Sequence, residues 1–100
     1  MNIVEFQKCI EAIYLDRDRE RGVDGTFRWF VEEVGELARA IRNVARSDDP
    51  AHRANLEEEF ANVLAWLSTL ASLTSVDLER AAISEYGDGC PKCRATPCAC

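Results

Sequence analysis

The sequence predicts an all-α fold, a four-helix bundle followed by a short Cys-rich tail, on three observations. Apolar residues recur at helical spacing in four successive stretches. Capping and turn residues separate the stretches, most clearly at Ser47-Asp48-Asp49-Pro50 and at Gly87. No run shows the two-residue alternation of a half-buried strand. The predicted organisation is a helical domain over residues 1–86 and a tail over residues 87–100.

The first helix is expected over 2–19, with Ile3, Phe6, Ile10, Ile13 and Tyr14 along one side. Cys9 beside that stripe reads as a small hydrophobe. The charge run Asp16-Arg17-Asp18-Arg19-Glu20-Arg21 reads as a solvated helix end. The alternative is an arginine that reaches a phosphate, and the sequence does not select which one. Gly22, Asp24 and Gly25 predict a turn, with Thr26 as the N-cap of a second helix over 26–46. Asp49 suits an N-cap and Pro50 a first helical turn, so a third helix is expected over 50–73. Thr74-Ser75-Val76-Asp77 resembles a capping box that would start a fourth helix over 76–86, ended by Gly87 and Gly89. His52, the only histidine, reads as a surface residue near a helix start.

One hundred residues make one small domain, and a chain this short is helped by oligomerisation or a metal staple. The net charge of −6 argues against a partner such as polymeric nucleic acid, whose phosphates call for a basic face. It is compatible with a single nucleotide bound through a cation. No signal peptide and no membrane-length apolar run are read, so a cytoplasmic protein with reduced thiols is expected.

Two acidic segments stand out, Glu32-Glu33-Val34-Gly35-Glu36 and Glu57-Glu58-Glu59-Phe60-Ala61-Asn62. At about 100° per residue, Glu33 and Glu36 lie side by side, as do Glu59 and Asn62. Both pairs border the apolar arcs of their helices, which run through Phe27, Phe30, Val31, Val34, Leu37, Ile41 and Val44 on one and Leu56, Phe60, Val63, Leu64 and Leu67 on the other. Antiparallel packing would set Glu33 against Asn62 and Glu36 against Glu59, and bring Trp29 and Trp66 to the same end. Hard oxygen ligands of this kind suit Mg²⁺ or Mn²⁺, and neighbouring indoles suit a phosphorylated, aromatic ligand. The bland alternatives are solvated carboxylates on helix flanks and indoles packed at a bundle rim.

The tail holds four of the five cysteines, Cys90, Cys93, Cys98 and Cys100, in the pattern C-x2-C-x4-C-x-C. Four thiolates so close can close a zinc shell, and Cys90-Pro91-Lys92-Cys93 resembles the first knuckle of many zinc ribbons. Redox-active thiols or an unstructured tail are the alternatives.

The words Glu32-Glu33-x-x-Glu36 and, after 22 residues, Glu59-x-x-Asn62 resemble the EExxE…ExxD signature of the MazG-like all-α nucleoside triphosphate pyrophosphohydrolases. Val34-Gly35-Glu36-Leu37-Ala38 and Phe60-Ala61-Asn62-Val63-Leu64-Ala65-Trp66-Leu67 extend the resemblance, which covers about residues 1–86. It implies a helical bundle assembled as a homodimer or homotetramer, with Mg²⁺-dependent hydrolysis of a (d)NTP to a (d)NMP and pyrophosphate. The implied metal ligands are Glu33, Glu36, Glu59 and Asn62, with Glu32 as the motif's additional acid. From its own position on the helix, Glu32 could orient a water or be a solvated carboxylate. Trp66 stands where related enzymes often place an aromatic residue near the nucleotide. Read from the residues alone, Trp29 could stack on the base with it, and Arg80 could reach a phosphate or be an ordinary surface arginine. The departure is Asn62, where the family has Asp: an amide oxygen still ligates, but the site loses one negative charge. The competing expectation is a non-catalytic nucleotide-binding or interaction module with a zinc-held tail.

Overall fold

The computed structural model describes all 100 residues as an all-helical chain with no strand. Its elements are α1 (Ile3–Arg46), α2 (Pro50–Leu73) and α3 (Leu78–Tyr86), followed by the Cys-rich segment. Asn2 caps α1 through a capping box with Glu5, and Asp49 caps α2 by accepting the Ala51 N–H at 2.9 Å.

The expected turn between the first two helices is replaced by a kink at a single residue. Gly22 alone leaves the helical region, at φ 81° and ψ 175°, and helical geometry resumes at once. Residues 23–46 therefore continue as the second arm of α1, and Gly25 lies inside that arm. Thr26 is not an N-cap. It is fully buried, and its hydroxyl accepts a hydrogen bond from Arg21 Nη1 at 3.2 Å. One residue suffices because φ and ψ at Gly22 are open only to a residue without Cβ.

The expected capping box at Thr74 is also replaced. Thr74 ends α2, and Ser75 takes the left-handed conformation at φ 60°. The Val76 N–H then bonds Ala71 O at 2.7 Å and the Ser75 N–H bonds Ser72 O at 3.1 Å, the two closures of a Schellman turn. Asp77 is the N-cap of α3, which starts two residues later than expected. The hydroxyl of Thr74 bonds backward to Leu70 O, so it is spent on the end of α2.

Helix α2 packs along both arms of α1, while α3 touches α1 near its start. Gln7 fastens that corner: its Nε2 donates to Ser72 Oγ and Val76 O, and its Oε1 accepts the Leu78 N–H at 2.9 Å. The chain is open. Its radius of gyration is 16.1 Å, against about 13 Å for a compact domain of this length. Ten residues are buried, six of them polar, so the interior of one chain is largely a polar network. The apolar arcs are only half covered. Ala40 and Leu56 are buried, whereas Phe27, Val31, Val34, Ile41, Phe60 and Leu64 are exposed. No helix is long and apolar enough to cross a membrane.

A Cβ at Gly22 would meet no neighbouring atom, so a substitution there acts through the backbone alone. Gly22→Ala is expected to lower unfolding stability by about 1–3 kcal/mol. Gly35→Ala, at a helical site equally free of neighbours, is expected to raise it by about 0.5–1 kcal/mol. Denaturant titration of the two variants checks both; an unchanged Gly22→Ala variant would refute the kink as described.

Candidate active site

The second arm of α1 and the middle of α2 run side by side, and the two acidic segments meet across them. Glu59 is buried, with 9% of its surface exposed, and its Oε2 has no hydrogen-bond partner. Glu33 is half-buried beside it. Burial pushes the Glu33 carboxyl above its ordinary range, and the neighbouring charges of Glu59, Glu36 and Glu32 push it further. Glu36 is half-buried and faces Arg39 Nη1 at 3.9 Å, whereas Glu32 is exposed. The sequence register sets Glu33 against Asn62; the acid that crowds Glu33 is Glu59, one turn earlier on α2.

An orphaned carboxylate oxygen among crowded acids fits a hard divalent cation. Leaving a buried acceptor unsatisfied costs about 1–3 kcal/mol, and like charges in contact add to that. A cation removes both penalties. Of the oxygen groups read from the sequence, the structure brings Glu59 against Glu33, while Glu36 faces Arg39 and Asn62 faces a cavity. Carboxylate and amide oxygens of this kind suit Mg²⁺ or Mn²⁺.

Asn62 also lines a cavity of about 240 Å³ between the first arm of α1 and α2, together with Tyr14, Arg17, Asp18, Arg21, Trp66 and Thr69, among others. The charge run is therefore not simply a solvated helix end. Asp18 is 3% exposed; its Oδ1 accepts from Arg21 Nη1 at 3.1 Å and its Oδ2 from Thr69 Oγ1 at 3.0 Å. The Arg21 guanidinium carbon lies 4.9 Å from the Trp66 ring centre, a cation–π contact. Arg17 lines the same cavity. The i, i+3 spacing of Asp18 and Arg21 was a signal available in the sequence, but Thr69 and Trp66 complete the network from another helix.

The two indoles do arrive together. Trp29 and Trp66 stack with ring centres 6.0 Å apart and planes 13° from parallel. They occupy one another's faces, and Trp29 remains 48% exposed. Arg80 lies on the exposed side of α3 and does not line the cavity.

The tail forms a second cluster. The sulfurs of Cys90, Cys93, Cys98 and Cys100 all lie within 4.8 Å of one another. Backbone N–H groups of Ala99 and Ala95 hold the Cys93 thiol down to about 6, and those of Cys93 and Lys92 lower Cys90. The thiols of Cys98, Cys93 and Cys90 push Cys100 up to about 11. The cluster shares no residue with the acidic site.

No curated protein matches the chain. The family model of the MazG nucleotide pyrophosphohydrolase domain does, over residues 21–86. That span holds the second arm of α1, α2 and α3, and with them every acidic residue of the site and both tryptophans. With more than half of its length matched, the chain belongs to the MazG nucleotide pyrophosphohydrolase family.

Proposed function

We propose that the protein is a Mg²⁺-dependent nucleotide pyrophosphohydrolase, converting a (d)NTP and water to a (d)NMP and pyrophosphate. The observation that carries this reading is the buried, partnerless Glu59 Oε2 beside Glu33, next to a cavity that offers arginines and an indole. Glu33, Glu36, Glu59 and Asn62 hold the cation in this reading. When bound, Mg²⁺ neutralises phosphate charge and lowers the pKa of a coordinated water.

The chain's own residues do the rest. Arg17 and Arg21 line the cavity with positive charge suited to phosphate oxygens. The exposed face of Trp29 offers a stacking surface to the base, with Trp66 supporting it from behind. Glu32 positions the attacking water and takes its proton as a new P–O bond forms. The α–β phosphoanhydride bond then breaks, and its electron pair leaves with pyrophosphate. In-line placement of water and leaving group is the main contribution asked of the fold. A pair or two pairs of chains covers the apolar faces of α1 and α2, and the reaction is cytoplasmic.

The experiment is pyrophosphate release from a panel of canonical and modified (d)NTPs with Mg²⁺ or Mn²⁺. Turnover is expected from the native chain and loss of at least about 100-fold from Glu36→Gln, since one ligand of a hard cation is replaced by a weaker one. Wild-type turnover in Glu36→Gln would refute the assignment. Asn62→Asp restores a negative charge and is expected to tighten the apparent metal affinity. If Asn62→Asp turns over nucleotide and the native chain is silent, the fold has kept the cleft and given up the chemistry.

Glu33 gives a separate test that needs no turnover. Its folded-state carboxyl titrates above the ordinary 4.5, so folding favours the protonated form. The resulting stabilisation is complete below the ordinary value and disappears as pH rises through the raised one. Metal-free Glu33→Gln should therefore melt higher than wild type at neutral pH, with the gap closing in acid. Added Mn²⁺ should raise the melting temperature of wild type, less so as pH falls, and leave the variant unmoved. An equal Mn²⁺ response in both proteins would remove Glu33 from the ligand set.

A further inference from the structure

The segment after α3 has almost nothing of its own to fold around. No residue from 87 to 100 is buried, and Cys93, Cys98 and Cys100 are exposed. Its backbone is nevertheless closely wound. The Gly89 N–H bonds Tyr86 O, the Arg94 N–H bonds Cys90 O at 2.7 Å, and the Cys90 N–H bonds Ala95 O at 3.1 Å. Gly89 sits at φ 101°, where a Cβ would come within 2.9 Å of Arg94 O and 2.8 Å of Thr96 Oγ1. Arg94 takes the left-handed conformation directly after Cys93 and pairs with Asp88 at 3.6 Å.

The winding converges on the sulfurs. Cys90 and Cys100 are 3.8 Å apart, Cys93 and Cys98 3.9 Å, and Cys90 and Cys98 3.6 Å. A regular tetrahedron with zinc–sulfur bonds of about 2.3 Å has edges of about 3.8 Å. Backbone N–H groups point at the sulfurs as well: Ala99 donates to Cys93 Sγ and Cys100 to Cys98 Sγ, each at 3.3 Å. Such donors stabilise thiolate charge and fix ligand orientation. Four sulfurs within 4.8 Å of one another, three of the pairs at a tetrahedral edge, leave room for one ion and none for an iron–sulfur cluster, whose cysteines stand around several metals.

We propose that Cys90, Cys93, Cys98 and Cys100 bind one zinc ion through four sulfurs, closing residues 89–100 into a metal-held knuckle on the end of α3. The site is separate from the acidic cleft and independent of the proposed hydrolase reading. The metal takes the place of a hydrophobic core for this segment, as in small zinc modules generally.

The test is metal analysis of the full chain, purified without chelator under reducing conditions, beside a variant with Cys90→Ser, Cys93→Ser, Cys98→Ser and Cys100→Ser together. One zinc per chain is expected in the native protein and none in the variant, with the helical circular dichroism of both alike. Replacement by Co²⁺ is expected to give sulfur-to-cobalt charge-transfer bands and the d–d bands of a tetrahedral site. Zinc retained by the variant would place the ion at the carboxylates and overturn the proposal. Iron in place of zinc, or disulfide-linked cysteines in a protein that takes up no zinc after reduction, would overturn it too.

Discussion

The arrangement of the site depends on one buried carboxylate. Asp18 sits at the end of the first arm of α1, almost without solvent, and holds Thr69 of α2 with one oxygen and Arg21 with the other. The helix kinks at Gly22, the residue after Arg21. The kink lets Arg21 reach Asp18, the Thr26 hydroxyl on the second arm and the Trp66 ring at once. Two arms of one helix and the middle of another are thereby held in a single register. Buried ion pairs often add little net stability, because desolvation offsets their attraction. Here the pair sets geometry: it determines where Trp66 stands, and so where Trp29 and the cavity wall stand.

The acidic site works against the fold that holds it. Glu59 is buried with a partnerless oxygen, and Glu33 is pressed against it in surroundings that favour its neutral form. A stability optimum would place apolar or hydrogen-bonded side chains there. Local conflict of this kind is the signature of a site shaped for something other than folding. The same two residues explain why a cation would stabilise the protein: it satisfies the orphan oxygen and cancels the crowding in one step.

Much of this was legible in the sequence because local periodicity carries it. The arcs of α1 and α2, the Asp49-Pro50 start and the convergence of Trp29 with Trp66 follow from 3.6-residue spacing and from antiparallel packing of neighbours. What was not legible is what one residue or one crossing decides. Gly22 and Gly25 look alike in the sequence, yet only Gly22 breaks the helix, because only one residue is needed to redirect it. Thr74 and Asp77 both look like caps; Ser75 in the left-handed conformation makes one the end of α2 and leaves the other to start α3. The run from Asp16 to Arg21 reads as solvated because its partners, Thr69 and Trp66, lie more than forty residues away. Charge alternation gives no hint that one of its acids will be among the most buried residues in the chain.

The small size of the chain poses the same problem to the helices and to the tail. Six of its ten buried residues are polar, so little of the apolar surface it carries is removed from water within one copy. Phe27, Val31, Val34 and Ile41 on one helix and Phe60 and Leu64 on the other leave an apolar surface of the kind that marks an interface. Those residues alternate along α1 and α2 with the acidic ones, so a copy docked on that surface would dehydrate the flank of the acidic cluster and strengthen its electrostatics. The tail has no large apolar side chain and brings four sulfurs together. Self-association for the helices and a metal for the tail would be distinct remedies for the same shortage of core. They are also separable, because the sulfur cluster and the apolar faces share no residue.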